Sequence, residues 1–154
     1  MKRSTLSQLL CALLLSLFLY AALSKLLNYP QFVSQLTLHP LLRPVSGVMA
    51  WALPAVEILV SICLFFPLWR LNGLYASFLL LVIFSVYILG MLLTASHLPC
   101  SCGGVFQHLT WGEHLICNTI LAVLALWAIR LERLNKEQEL MIKTNDFEQD
   151  IFVR

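Results

Sequence analysis

An all-α bundle of four membrane-spanning helices is the fold class that this sequence predicts. Three observations predict it. Of the 154 residues, 60% are hydrophobic and 12% are charged, against about 45–50% and about 25% in ordinary soluble domains. The apolar residues gather into four long runs, at residues 6–27, 45–66, 71–94 and 114–129. Lysine and arginine are shared very unequally between the segments that join those runs.

Each run is near the length that crosses a hydrocarbon core of about 30 Å at about 1.5 Å per residue. In lipid the backbone must satisfy its own hydrogen bonds, so the runs are expected to be helices. The alternating polarity of a membrane barrel strand is absent. The length accommodates four spans and short loops, without a second folded domain beside them.

The first run follows Lys2 and Arg3, and Ala22-Leu23-Ser24 resembles a signal-peptide cleavage site. Its apolar stretch exceeds the roughly 7–15 residues of a signal h-region, so it is read as a retained span. The second run opens after a segment with Pro30, Pro40 and Pro44, expected to lie along the outer interface with one short helix near residues 31–38. Residues 67–72 form a tight turn into the third run, with Trp69 as an interfacial anchor. The fourth run ends near Ile129. From Glu132 onward both charge signs mix with few apolar residues, and this part reads as a helix end fraying into a solvated tail. Residues 1–131 are thus one transmembrane domain and residues 132–154 a polar cytoplasmic tail.

Orientation follows from the cations. Four spans put both termini on one side, together with Lys2, Arg3, Arg70, Arg130, Arg133, Lys136, Lys143 and Arg154. The other side keeps only Lys25 and Arg43. Eight cations against two make the termini cytoplasmic and put residues 95–112, which hold no Lys or Arg, outside. The net charge of +2 carries little by itself. No basic patch with interleaved aromatics and no glycine-rich phosphate loop is present, so neither nucleic acid nor nucleotide is an expected partner. Lipid is the expected solvent of the apolar faces.

The loop between the third and fourth runs carries the candidate chemistry. Pro99 stops the third helix, and Gly103 and Gly104 allow backbone angles that side chains forbid. Between them lie Cys100 and Cys102. Cysteines two apart have Cα atoms roughly 5.5–7 Å apart, at the upper part of the disulfide range. Strained, exposed disulfides exchange more readily than structural ones, and disulfides persist outside the cytoplasm. The alternatives are a static bridge that pins the loop, or a soft-metal site for copper or zinc with His97 and His108.

Trp111, His114 and Asn118 are spaced by three and four residues and share one face of the fourth helix. A histidine one turn inside that helix is suited to take a proton from a thiol, and the helix N-terminus favours a thiolate. The plainer reading gives His114 and Asn118 a role in helix packing, and Trp111 a role as an anchor. Glu57 lies about twelve residues into the second run, where an ionisable group is a functional candidate. It either pairs with Lys25 at the outer end of the first run or is protonated. Cys11, Cys63 and Cys117 fall inside apolar runs and read as small hydrophobes.

Four features recur in order: Ser24-Lys25, Pro54-x-x-Glu57, Cys100-x-Cys102-Gly103, and Trp111-x-x-His114-x-x-x-Asn118. Over residues 6–130 this set resembles the MauE branch of the DoxX-like membrane proteins, the methylamine-utilisation MauE family. The resemblance implies a multi-pass protein of the bacterial inner membrane that serves redox maturation of extracytoplasmic proteins. It implies thioredoxin-like partners and the making of a disulfide-rich periplasmic enzyme subunit. In that setting Cys100 and Cys102 are the exchanging pair, and His114 manages the proton. If the pair exchanges, a quinone or another thiol protein is the candidate electron acceptor, and the residues do not choose between them. The alternatives are a non-enzymatic assembly or stabilising subunit with a static disulfide, or a copper- or zinc-binding membrane protein.

Overall fold

The computed structural model of the chain describes residues 3–38, 42–94 and 110–153. These residues form five α-helices: α1 (Arg3–Leu27), α2 (Tyr29–Leu38), α3 (Ser46–Phe65), α4 (Arg70–Thr94) and α5 (Trp111–Val153). Four of them, α1, α3, α4 and α5, are long and apolar enough to cross a membrane. Among the described residues there is no strand.

The local reasons are legible at each boundary. A single residue, Asn28, separates α1 from α2, and its backbone N–H still donates to Ser24 O at 3.1 Å. Pro30 falls in the first turn of α2, where a missing N–H costs no helical bond. A 3-10 turn over Arg43–Val45, with Pro44 inside it, leads into α3. Phe66 closes α3 in an extended conformation, φ −82° and ψ 122°, as a residue before proline is driven to do. The chain then turns through residues 67–69 into α4. Gly73 makes that turn tight: a Cβ there would stand 2.9 Å from the backbone nitrogen of Leu64. Only a residue without a side chain lets α4 approach α3 so closely.

Thr110 caps α5. Its hydroxyl accepts from the Glu113 backbone N–H at 3.4 Å, while the Glu113 carboxylate accepts from the Thr110 backbone N–H at 2.7 Å. This reciprocal pair satisfies donors that a helix start leaves open. The helix therefore starts three residues before the apolar run does.

At its other end α5 departs from the sequence-based expectation. In place of a fraying end it continues unbroken to Val153. The residues after Leu134 include three Glu, two Gln and two Lys, all good helix formers. Glu139 and Lys143 stand in the favourable spacing of four. Mixed charge here marks a solvated helix and not the loss of one.

The long helices stand in a ring in the order α1, α3, α4, α5, each packed on its two neighbours. Among the described residues the backbones of α3 and α5 stay apart across the ring. Leu14, Phe18, Leu64, Leu74, Leu81 and Ala125 fill the centre, all 2% exposed or less. Ala122, Ala125 and Ala128 give α5 a stripe of small residues, which lets membrane helices pack closely. The outward residues are large and apolar, among them Leu79, Ile83, Val86 and Val123, as a lipid-facing surface requires. The short helix α2 folds across the end of α3, burying Phe32 and Leu36 against Ala50.

Candidate functional site

The end of the ring covered by α2 is hollow. A cavity of about 270 Å³ opens there, and every helix contributes to its wall. From α1 come Phe18, Ala21 and Lys25, and from α2 Phe32 and Leu36. Leu53 and Glu57 belong to α3, and Phe84, Tyr87 and Ile88 to α4. Trp111, His114 and Asn118 complete it from α5. Their spacing of three and four residues, read from the sequence as one helical face, is the face that looks into the cavity.

Lys25 and Glu57 are paired. The Lys25 ammonium donates to both carboxylate oxygens, at 2.7 and 3.0 Å, and to the Ala21 carbonyl at 3.3 Å. The Glu57 side chain is 2% exposed and that of Lys25 13%. The lysine thus bends its stem inward from the end of α1, and of the two alternatives that the sequence left for Glu57 the structure shows the pair. Phe32 lies 6.0 Å from the ammonium and shields it. A pair so buried gains from its mutual attraction but loses the hydration of two ions. Its most secure effect is to fix the rotation of α1 against α3. Pro54, buried one turn before Glu57, leaves a carbonyl in α3 without its usual helical donor. Ser61 donates to the Glu57 carbonyl at 2.9 Å on the far side.

Asn118 is placed differently. It is 7% exposed, lines the cavity, and among the described residues its amide has no hydrogen-bond partner. A buried amide between membrane helices ordinarily finds one.

Lys25, Glu57, Trp111, His114 and Asn118 are thus brought to one cavity, although the sequence placed them on three separate spans. Cys100, Cys102, His97 and His108 lie outside the described residues. So does the metal-ligand set that those four residues would form. Of the remaining cysteines, Cys11 is buried and Cys63 and Cys117 are half-buried, all as free thiols.

A second polar cluster was not legible in the sequence. Ser7 donates to a Glu132 carboxylate oxygen at 2.6 Å, and the Arg70 guanidinium stands 3.7 Å from the other. Ser7 and Glu132 are 0% and 7% exposed. Glu132 is therefore a buried anchor and not the first residue of a solvated tail, because α5 continues helical and turns this side chain onto α1 and α4. The cluster lies at the end of the bundle opposite the cavity, about 27 Å along α1 from Lys25 at about 1.5 Å per residue. The signal in the sequence was a charge of each sign, Arg70 and Glu132, at neighbouring span ends. It was obscured because Arg70 serves equally well as an orientation charge.

Four lipid-exposed helices around a cavity that holds an ion pair, a histidine and an amide define a multi-pass membrane protein with an internal polar site. The family model described as Methylamine utilisation protein MauE matches residues 3–131, from the first turn of α1 to the α5 turn that carries Glu132's neighbour Leu131. The chain belongs to the MauE family, as the order of its motifs suggested. No curated protein and no solved structure matches it.

Proposed function

We propose that this protein supports thiol–disulfide redox maturation of extracytoplasmic proteins, with Cys100 and Cys102 as the exchanging pair. One observation carries the reading. Tyr87 and Ile88 near the end of α4 and Trp111 and His114 in the first turns of α5 wall the same largely apolar cavity. The segment that carries the two cysteines joins the end of α4, at Thr94, to the start of α5, at Trp111, and Trp111 itself lines that cavity. Membership of the MauE family supports the same reading.

In the proposed exchange, a partner thiolate attacks the Cys100–Cys102 disulfide and forms a mixed disulfide, releasing one thiolate. The partner's second thiol then displaces the remaining sulfur. The partner leaves oxidised, and the Cys pair takes up two electrons as a dithiol. His114 is the group that accepts and returns the proton in these steps. The partner is a thioredoxin-like protein on the outer face of a bacterial inner membrane, with both termini of this chain in the cytoplasm.

Trapping tests it. In cells, Cys102→Ser or Cys100→Ser accumulates a mixed disulfide with the partner, detected after acid quenching and alkylation. Its absence from both variants, with a pair that stays fully oxidised in the unaltered chain, is the behaviour of a static clamp and overturns the proposal. So does a Cys100→Ser protein that still restores the redox state of its clients.

A further inference from the structure

A cavity of about 270 Å³ lies at the end of the bundle that α2 covers. Its wall is mostly apolar and aromatic, with Phe84, Tyr87 and Trp111 on the α4–α5 side. Lys25 spends its three donors on Glu57 and Ala21, so the ion pair is closed on itself. The Asn118 amide is the exception: it is more than nine-tenths buried, it faces the cavity, and among the described residues nothing meets it. An amide so placed in a mostly apolar cavity calls for a polar atom supplied by something else.

We propose that the cavity binds the head ring of a membrane quinone, one of whose carbonyl oxygens accepts a hydrogen bond from the Asn118 amide. An apolar cavity of about 150 Å³ takes up benzene. The about 270 Å³ here holds one six-membered ring with its substituents, while the isoprenoid tail stays in the bilayer. A quinone ring is flat, uncharged and apolar except for its carbonyl oxygens, which matches a wall with a closed ion pair and, among the described residues, an amide that no protein group meets. A lipid acyl chain matches the apolar wall but leaves the amide unmet. The choice of a quinone rests on the redox reading above, because a Cys100–Cys102 dithiol must pass its electrons on. Oxidation of that dithiol to a disulfide yields two electrons and two protons, and the quinone takes up both to become the quinol.

The test uses the full chain purified in nanodiscs, with a short-chain ubiquinone labelled with ¹³C at its carbonyls as the probe. Saturable binding is expected, with one carbonyl stretch shifted to lower frequency. Asn118→Leu weakens binding about five- to tenfold, the loss of one hydrogen bond, and abolishes the shift. Leu53→Trp fills the cavity and weakens binding about tenfold or more. Both variants are compared with the unaltered chain for helicity and melting temperature, and Asn118→Gln, which keeps the amide, restores the carbonyl shift. Equal or tighter binding by Asn118→Leu is the behaviour of an acyl-chain site and overturns the inference. So does binding that Leu53→Trp leaves untouched. The same titration on a Cys100→Ser, Cys102→Ser chain separates the two proposals. Binding that persists there supports the site even if no mixed disulfide is ever trapped. Mixed disulfides without quinone binding overturn this inference and leave the exchange reading standing.

Discussion

Lys25 and Glu57 show what single residues decide in this molecule. Both stand in otherwise apolar helices, and each would be costly alone. Together, at 2.7 Å, they satisfy each other in a site that is nearly closed to solvent. Removing one partner leaves an uncompensated buried charge, which typically costs about 3–5 kcal/mol. Lys25→Met and Glu57→Leu are therefore each expected to lower the melting temperature sharply in detergent. The double variant Lys25→Met, Glu57→Leu is expected to recover most of that loss, because an apolar pair of similar size replaces an ionic one. A double variant as unstable as the worse single one would show that the pair contributes more than helix register. Client redox state separates the roles further: a purely structural pair predicts that the double variant regains function along with stability.

At the scale of elements, α5 is the helix whose two ends do different things. Its start is fixed by the Thr110–Glu113 capping pair, and its first turns supply Trp111, His114 and Asn118 to the cavity. Loss of an N-cap side chain typically costs about 0.5–2 kcal/mol. Thr110→Ala is expected to raise hydrogen exchange in the first turn of α5 and to leave exchange near Ala125 unchanged. Protection that is lost along the whole helix would mean that the cap holds more than its own turn. Further along, Glu132 ties α5 to α1 through Ser7 and to α4 near Arg70. Beyond it the helix leaves the bundle, with Leu140, Met141 and Ile142 exposed. A chain that ends after residue 136 is accordingly expected to melt within a few degrees of the whole one, while Glu132→Ala in the full chain melts markedly lower. The opposite order would place the stabilising contacts in the projecting part of α5.

For the whole molecule the open question of physics is direction. Eight cations on the side of the termini against two on the other predict the orientation with both ends in the cytoplasm. In that predicted orientation the ring of helices has its cavity end outward and its Ser7–Arg70–Glu132 end inward. A chain with Cys11, Cys63 and Cys117 replaced by alanine checks this in intact cells. After mild reduction, Cys100 or Cys102 is expected to react with a membrane-impermeant maleimide. In a chain also carrying Cys100→Ser and Cys102→Ser, a probe cysteine from Lys136→Cys is expected to react only after the membrane is opened. The reversed pattern would invert the assignment and place the Cys pair in a reducing compartment, where a lasting disulfide is disfavoured.

The sequence by itself determined the four spans, their approximate ends, the short helix after the first, and the family. It did so because a hydrocarbon solvent penalises every unpaired backbone group, so length and apolarity alone dictate helix. It also singled out Lys25, Glu57, His114 and Asn118, because polar groups are conspicuous in such runs. The tertiary structure decided which of them share a space. A helix that is apolar all round carries little sign of which face turns inward, so its rotation is set by close packing at Gly73 and Ala125 and by the pairing of Lys25 with Glu57. For the same reason the sequence did not reveal that Glu132 is an anchor, since only the neighbouring helices supply Ser7 and Arg70. Nor did it reveal the cavity, whose wall is assembled from residues of all five helices.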